Sequence, residues 1–122
     1  MKIRIEVSGL EFTIRLSDTP TAEAIIAALP FESSAQTWGE EVYFSTPVKA
    51  KLEADARQVV EPGTVCFWTE GDALALPFGR TPMSTDERPK LANRCNVLGK
   101  IAEDAKLLSR VKSGDKVTVT KV

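Results

Sequence analysis

The sequence predicts a mainly β protein, a closed antiparallel β-barrel with two short helices. Residues 2–7 alternate strictly, with Ile3, Ile5 and Val7 on one face, and residues 10–16 repeat the pattern. This period of two is typical of half-buried antiparallel strands. Many strand candidates fill only 122 residues, and closing the sheet removes exposed edges. A β-sandwich is the alternative arrangement of the same strands.

The elements of the first half follow from local signals. Ser8-Gly9 predicts a two-residue hairpin turn between the first two strands. Thr19 is suited to cap a short amphipathic helix, which Pro20 starts and Pro30 ends. We expect strands within 31–38 and 41–44, followed by a weakly patterned stretch over 48–60.

The second half contains a second hairpin. The run from Val65 to Trp68 turns through Glu70-Gly71-Asp72 into an apolar strand that ends near Phe78. Residues 79–94 predict a loop of about fifteen residues, long enough to suggest a functional role, and Ser84 with Glu87 matches a capping box for one helical turn. A strand over 95–101, a short helix around Leu107 and Leu108, a turn at 113–115 and a strand over 117–121 complete the chain.

Length and charge limit the classes of protein to consider. The chain of 122 residues fits one domain, 1–122. Its formal net charge of −1 lacks the basic excess of nucleic-acid-binding proteins. The N-terminus enters a charged, alternating strand, and no apolar run is long enough to cross a bilayer. We therefore expect a cytoplasmic protein with neither a nucleic-acid nor a membrane partner; its oligomeric state is not predicted.

The chain contains no histidine. This removes Ser-His-Asp and Cys-His catalysis and every histidine-ligated metal site. Cys66 and Cys95 lie apart in apolar runs, without the spacing of a structural zinc site, and are predicted to be inert core thiols. The sequence thus predicts no metal and no cofactor.

Three segments carry a resemblance to a known family. The stretch Val97–Val111, in which a Gly99-Lys100 step leads into a short helix, looks like the C-terminal part of cyclophilins. Together with Trp38–Phe44 and the Trp68–Pro82 stretch, it closely resembles a family of small, mostly bacterial cyclophilin-like barrel proteins without an assigned function. The resemblance covers nearly the whole chain and implies the cyclophilin barrel with helices at its ends.

The catalytic motif of the prolyl isomerases with this fold is not present in this sequence. Prolyl isomerases that resemble this chain place an Arg after a Phe-His pair and follow it with Gln-Gly-Asp. Here the strand containing Tyr43 and Phe44 runs into Ser45-Thr46-Pro47, and no Arg lies between Arg15 and Arg57. That Arg stabilises the twisted C–N transition state electrostatically. We therefore predict no catalytic residue.

Candidate ligand-binding residues lie at the ends of strands. Trp38, Tyr43, Trp68 and Phe78 stand at strand ends or beside turns, where a barrel mouth would be, and aromatic side chains with a polar group often line pockets. Arg80 lies two residues after Phe78, so on a continued strand it would face the same side and project at the rim of the barrel mouth. A guanidinium there could bind a carboxylate or phosphate. An ion pair of Arg80 with Glu70 or Glu87 is the structural alternative.

The positions of other residues along the predicted strands suggest whether they bind a ligand, pack in the core or face solvent. Arg94 and Asn96, at the far end of the long loop, are also candidate ligand-binding residues. Trp68 and Phe78 each continue an apolar strand face, which favours the core for both. Glu40-Glu41 and Glu70-Gly71-Asp72 are interpreted as solvated turn charges, since neighbours on a strand point to opposite faces.

The function predicted from these residues is a non-catalytic module that binds a small molecule or a peptide. Its site is expected where Trp38, Tyr43 and the start of the 80–94 loop converge, with Arg80 as the charged anchor. A divergent peptidyl-prolyl cis-trans isomerase using Arg80 or Arg94 is one alternative. A protein-interaction subunit that uses the loop as its contact surface is another.

Overall fold

The computed structural model describes residues 1–122. It contains ten β-strands, one α-helix and one 3-10 helix. The elements are β1 (Lys2–Val7), β2 (Leu10–Leu16), α1 (Pro20–Ala28), β3 (Phe31–Ser34), β4 (Gln36–Thr37), β5 (Glu41–Ser45), β6 (Arg57–Val59), β7 (Thr64–Trp68), β8 (Ala73–Pro77), β9 (Lys90–Ile101), the 3-10 helix (Ala105–Arg110) and β10 (Lys116–Lys121).

The strands form one sheet that curls into a nearly closed barrel. The order across the sheet is β3-β10-β1-β2-β9-β7-β8-β5-β4, with β6 also paired to β9, and every pairing is antiparallel. The two strands at the ends of this order, β3 and β4, are separated along the chain only by Ala35. The chain itself therefore joins the two edges, and the predicted mainly β, antiparallel barrel is confirmed.

Both predicted hairpin turns are present. Ser8 and Gly9 have φ of 55° and 74° and join β1 to β2, which pair from Val7↔Leu10 onward. Positive φ at both central residues matches the twist of a two-residue hairpin. In the second hairpin, which joins β7 to β8, Asp72 adopts φ of 50°, a conformation that Asp tolerates better than most residues.

The helices begin and end where their capping residues lie. The Thr19 hydroxyl accepts a hydrogen bond from the Ala22 N–H at 3.2 Å, and α1 ends before the extended Leu29, which precedes Pro30. The short helix near the C-terminus is a 3-10 helix, with Asp104 accepting from the Lys106 N–H at 3.0 Å. Neither helix has the length and apolar composition needed to cross a bilayer.

The predicted loop over 79–94 is wrong at its C-terminal end. Strand β9 begins at Lys90, because β6 pairs with its first half through Arg57↔Cys95 and Val59↔Lys90. The capping box is also wrong: no helix follows Ser84. Its hydroxyl instead accepts hydrogen bonds from the N–H groups of Thr81 and Lys90 and donates to the Arg88 carbonyl.

Two hydrophobic clusters lie on opposite faces of the barrel wall. The larger one contains 22 buried residues, among them Val65 and Phe67 of β7. The smaller one contains five buried residues, including Cys66, and Trp68 packs against it. Because alternate residues of a strand face opposite sides, the larger cluster fills the barrel and the smaller one lies on its outer face.

Candidate functional site

An apolar cavity of about 240 Å³ lies on the outer face of the barrel wall. Strands β5, β8 and β7 supply one side of it, and the first half of β9 supplies the other. Eight residues line the cavity, and seven of them are hydrophobic. They are Trp38, Glu41, Tyr43, Trp68, Ala75, Leu91, Ala92 and Cys95.

Glu41 is the charged residue of this cavity, and its interpretation as a solvated turn charge is wrong. Only 6% of the residue is exposed. Burial disfavours the ionised carboxylate and raises the pKa of Glu41 from 4.5 to about 7. Alternation along the strand did predict that Glu40 and Glu41 point to opposite sides, but it left open which side is enclosed.

A tight turn brings Trp38 beside Glu41. The Trp38 N–H donates to the Glu41 carbonyl at 3.0 Å, and Gly39 between them has φ of 57°. A Cβ at Gly39 would lie 2.8 Å from Cδ of Pro82, closer than side chains pack. Glycine therefore permits both the left-handed backbone and the close passage of the 80–82 segment.

Trp68 lines the cavity and does not belong to the barrel core. It follows Phe67 on β7 and projects to the opposite, outer face, where it is partly exposed. The indole Nε1 is buried and has no hydrogen-bond partner within the protein. The interpretation of Trp68 as a core residue failed because both faces of this strand are apolar.

Cys66 and Cys95 are free, buried thiols. Burial raises the pKa of both, that of Cys95 to about 12, and the nearby charge of Glu41 raises them further. Cys95 lines the cavity, whereas Cys66 lies in the adjoining cluster. Nowhere in the structure do three or more Cys, Asp or Glu side chains lie close enough together to hold a metal ion.

Phe78 and Arg80 lie away from the cavity. They line a separate, mostly polar depression together with Glu40 and Glu87. The Arg80 guanidinium, whose side chain is 49% exposed, forms an ion pair with Glu87 at 3.4 Å. The structure therefore brings Trp38 and Tyr43 together in the cavity without the arginine anchor that the sequence suggested.

The two candidates on β9 are also outside the cavity. The side chain of Arg94 lies in solvent. Asn96 is fully buried and donates to the Thr21 hydroxyl at 3.0 Å and the Lys51 carbonyl at 2.9 Å, while its Oδ1 accepts from the Glu53 N–H at 2.8 Å. These bonds tie the segment before β6 to the barrel, so Asn96 has a structural role.

Sequence reasoning missed six of the eight lining residues: Glu41, Trp68, Ala75, Leu91, Ala92 and Cys95. One signal was present, because Glu41 and Tyr43 have the same parity on one strand and must share a face. The contribution of Leu91 and Ala92 had no such signal, since both fall in the stretch predicted as a loop.

A family model described as Cyclophilin-like matches residues 1–120. The solution structure of a hypothetical protein from Archaeoglobus fulgidus is similar over 100% of this chain and 95% of that chain, with a TM-score of 0.86 and 37% sequence identity. The structure of McbB in complex with tryptophan is similar over 98% of this chain but 44% of that chain, with a TM-score of 0.66 and 18% identity. At this identity the likeness to McbB shows a common fold. A comparison with curated proteins gave no match.

Proposed function

The chain belongs to the cyclophilin-like family, and on that premise we propose that it is a non-catalytic module that binds a small molecule. The site is the cavity lined by Trp38, Glu41, Tyr43 and Trp68. The observation that carries this proposal is the composition of the cavity wall, apolar except for one buried carboxyl group. Binding pockets typically combine such a wall with a few polar groups that orient the ligand.

The volume of the cavity supports a ligand of one or two rings. An engineered apolar cavity of about 150 Å³ holds benzene, and this cavity measures about 240 Å³. It is smaller than the pockets of roughly 300–1,000 Å³ that take drug-sized ligands. An extended peptide segment would need a longer groove, so a small molecule is the better match.

The isomerase alternative lacks a specific observation in its favour. Arg80 is paired with Glu87 outside the cavity, and Arg94 is exposed. We expect no acceleration of prolyl isomerisation in a proline-containing test peptide. Acceleration that is lost in either Arg80→Ala or Arg94→Ala would replace binding by catalysis as the proposed function.

The two tryptophans offer a direct test, because the chain has only two and both line the cavity. A small molecule that occupies the cavity should change the intrinsic fluorescence and raise the melting temperature. A screen of small aromatic and aliphatic compounds by both readouts should find such ligands.

A cavity-filling variant provides the control. Ala92 lines the cavity yet is exposed, so Ala92→Phe should fill the space without disturbing the barrel core. Ala102, also exposed, lies outside the cavity, which makes Ala102→Phe the matched control. The proposal requires that ligands bind the Ala102→Phe protein normally and the Ala92→Phe protein at least ~10-fold more weakly, the effect of losing about 1.4 kcal/mol. Equal binding to both variants would place the ligand elsewhere.

A further inference from the structure

Two buried polar side-chain atoms in the chain have no hydrogen-bond partner within the protein, and both belong to residues that line the cavity. They are Oε1 of Glu41 and Nε1 of Trp68. Buried polar groups in folded proteins are nearly always paired, so each exception calls for an explanation. Because both exceptions lie at one cavity, a molecule bound there could supply the partners of both atoms.

The carboxyl group of Glu41 determines which charge a ligand in the cavity can carry. None of the ion pairs of the structure includes it, and no Lys or Arg lines the cavity. An anionic ligand would be repelled by the carboxylate and would meet no cation. A ligand with a positively charged nitrogen would supply both the missing charge and the missing hydrogen-bond donor.

The aromatic side chains favour the same chemistry. Trp38, Tyr43 and Trp68 line the cavity on different strands or turns, and the faces of such rings attract cations. They also provide apolar surface for the body of the ligand. The Trp68 Nε1 is a donor only, so it would suit an acceptor, such as a hydroxyl or carbonyl oxygen, on the same molecule.

Resting on the binding function proposed above, we propose that the ligand is a small aromatic amine whose protonated nitrogen pairs with the Glu41 carboxylate. Binding then depends on ionisation of Glu41. The titratable groups that face this carboxyl are Tyr43 on its own strand, Cys66 on β7 and Cys95 on β9, with Glu70 acting on Cys95 from the neighbouring turn. Burial raises the pKa of both thiols, which stay neutral near neutral pH and leave Glu41 as the acidic side chain of the cavity wall.

Three probes of one size and different charge test the proposal: 2-phenylethylamine, 2-phenylethanol and phenylacetate. Affinity is measured by titration of the intrinsic fluorescence at about pH 8, above the pKa of about 7 to which burial raises Glu41. The amine should bind at least ~10-fold more tightly than the alcohol, as expected for a charge-assisted bond, and phenylacetate should bind most weakly. In Glu41→Gln, which keeps the shape of the side chain, the advantage of the amine over the alcohol should disappear.

The outcomes separate this inference from the proposed function. The amine assignment is overturned if the alcohol binds as tightly as the amine, or if the amine still binds more tightly than the alcohol in Glu41→Gln. If Ala92→Phe also abolishes binding of both compounds, the cavity nevertheless binds small molecules. If no probe gives a saturable signal in the unsubstituted protein, the amine assignment fails. If the screen of aromatic and aliphatic compounds also finds no ligand, the proposed binding function fails with it. A fall in amine affinity from about pH 8 to about pH 6, with unchanged alcohol affinity, would support the pairing, because Glu41 takes up a proton in that range.

Discussion

Gly71 lies directly against the indole ring of Trp68. A Cβ at position 71 would overlap with both Cε3 and Cζ3 of the ring, an approach that packed side chains do not adopt. The turn of the β7–β8 hairpin therefore supports one of the cavity walls, and the absence of a side chain at Gly71 fixes how near the ring can lie to the backbone.

The contact predicts that Gly71→Ala destabilises the protein by roughly 1–3 kcal/mol, as overpacking of a close contact does. The free energy of unfolding in urea measures the effect. In a Trp68→Ala background the same substitution should cost less than about 0.5 kcal/mol, because the ring that it displaces is gone. An equal cost in both backgrounds would trace the effect to the turn backbone and not to the ring.

The raised pKa of Glu41 predicts a dependence of stability on pH. Burial raises this pKa from 4.5 to about 7, so the folded protein holds a proton between these values that the unfolded chain has released. The stabilisation is fully present below about pH 4.5 and is lost as the pH rises through about 7. Between about pH 5 and about pH 8 the free energy of unfolding should fall by roughly 2–3 kcal/mol from this group.

Glu41→Gln supplies the control for this pH dependence. Glutamine does not titrate, so the variant should lack this component of the pH dependence while other carboxyl groups contribute equally in both proteins. Urea unfolding of the two proteins at both pH values gives the difference directly. Parallel pH profiles would show that Glu41 ionises as freely in the folded as in the unfolded protein.

The thiols of Cys66 and Cys95 should react slowly with a disulfide reagent in the native protein. Both are buried, and the pKa of Cys95 is raised to about 12, so little thiolate is accessible to a disulfide reagent. At about pH 8 we expect labelling at least ~10-fold slower than in denaturant. Single variants, Cys66→Ala and Cys95→Ala, distinguish the two sites, and rapid native labelling of either thiol would contradict its burial.

Arg80 should matter little to stability or to ligands in the cavity. Its ion pair with Glu87 is exposed, and exposed pairs contribute little. Arg80→Ala should change the free energy of unfolding by no more than about 0.5 kcal/mol and leave the affinity for any cavity ligand unchanged. Glu41→Gln is the contrasting variant in the same fluorescence titration; a large loss of affinity in Arg80→Ala would restore the arginine anchor that the sequence suggested.

The elements predicted best are those that depend on neighbours in sequence. Ser8-Gly9 gives a hairpin because both residues reach positive φ, and Thr19 caps α1 through its own hydroxyl. The start of β9 was missed for the opposite reason. Lys90 belongs to a strand because it pairs with β6, which is far from it in sequence. The residues around Lys90 contain no pattern that predicts this pairing.

The candidate site shows the same division. The sequence by itself determined the strand that contains Tyr43 and the antiparallel barrel, because alternation and turn chemistry act within a few residues. Tyr43 lies in the middle of that strand, Glu41–Ser45, and not at its end. Only the tertiary structure decided that the face of this strand with Glu41 and Tyr43 is enclosed. The first half of β9 brings Leu91 and Cys95 against it, and this exclusion of water turns Glu41 from a surface charge into the buried carboxyl group of a cavity.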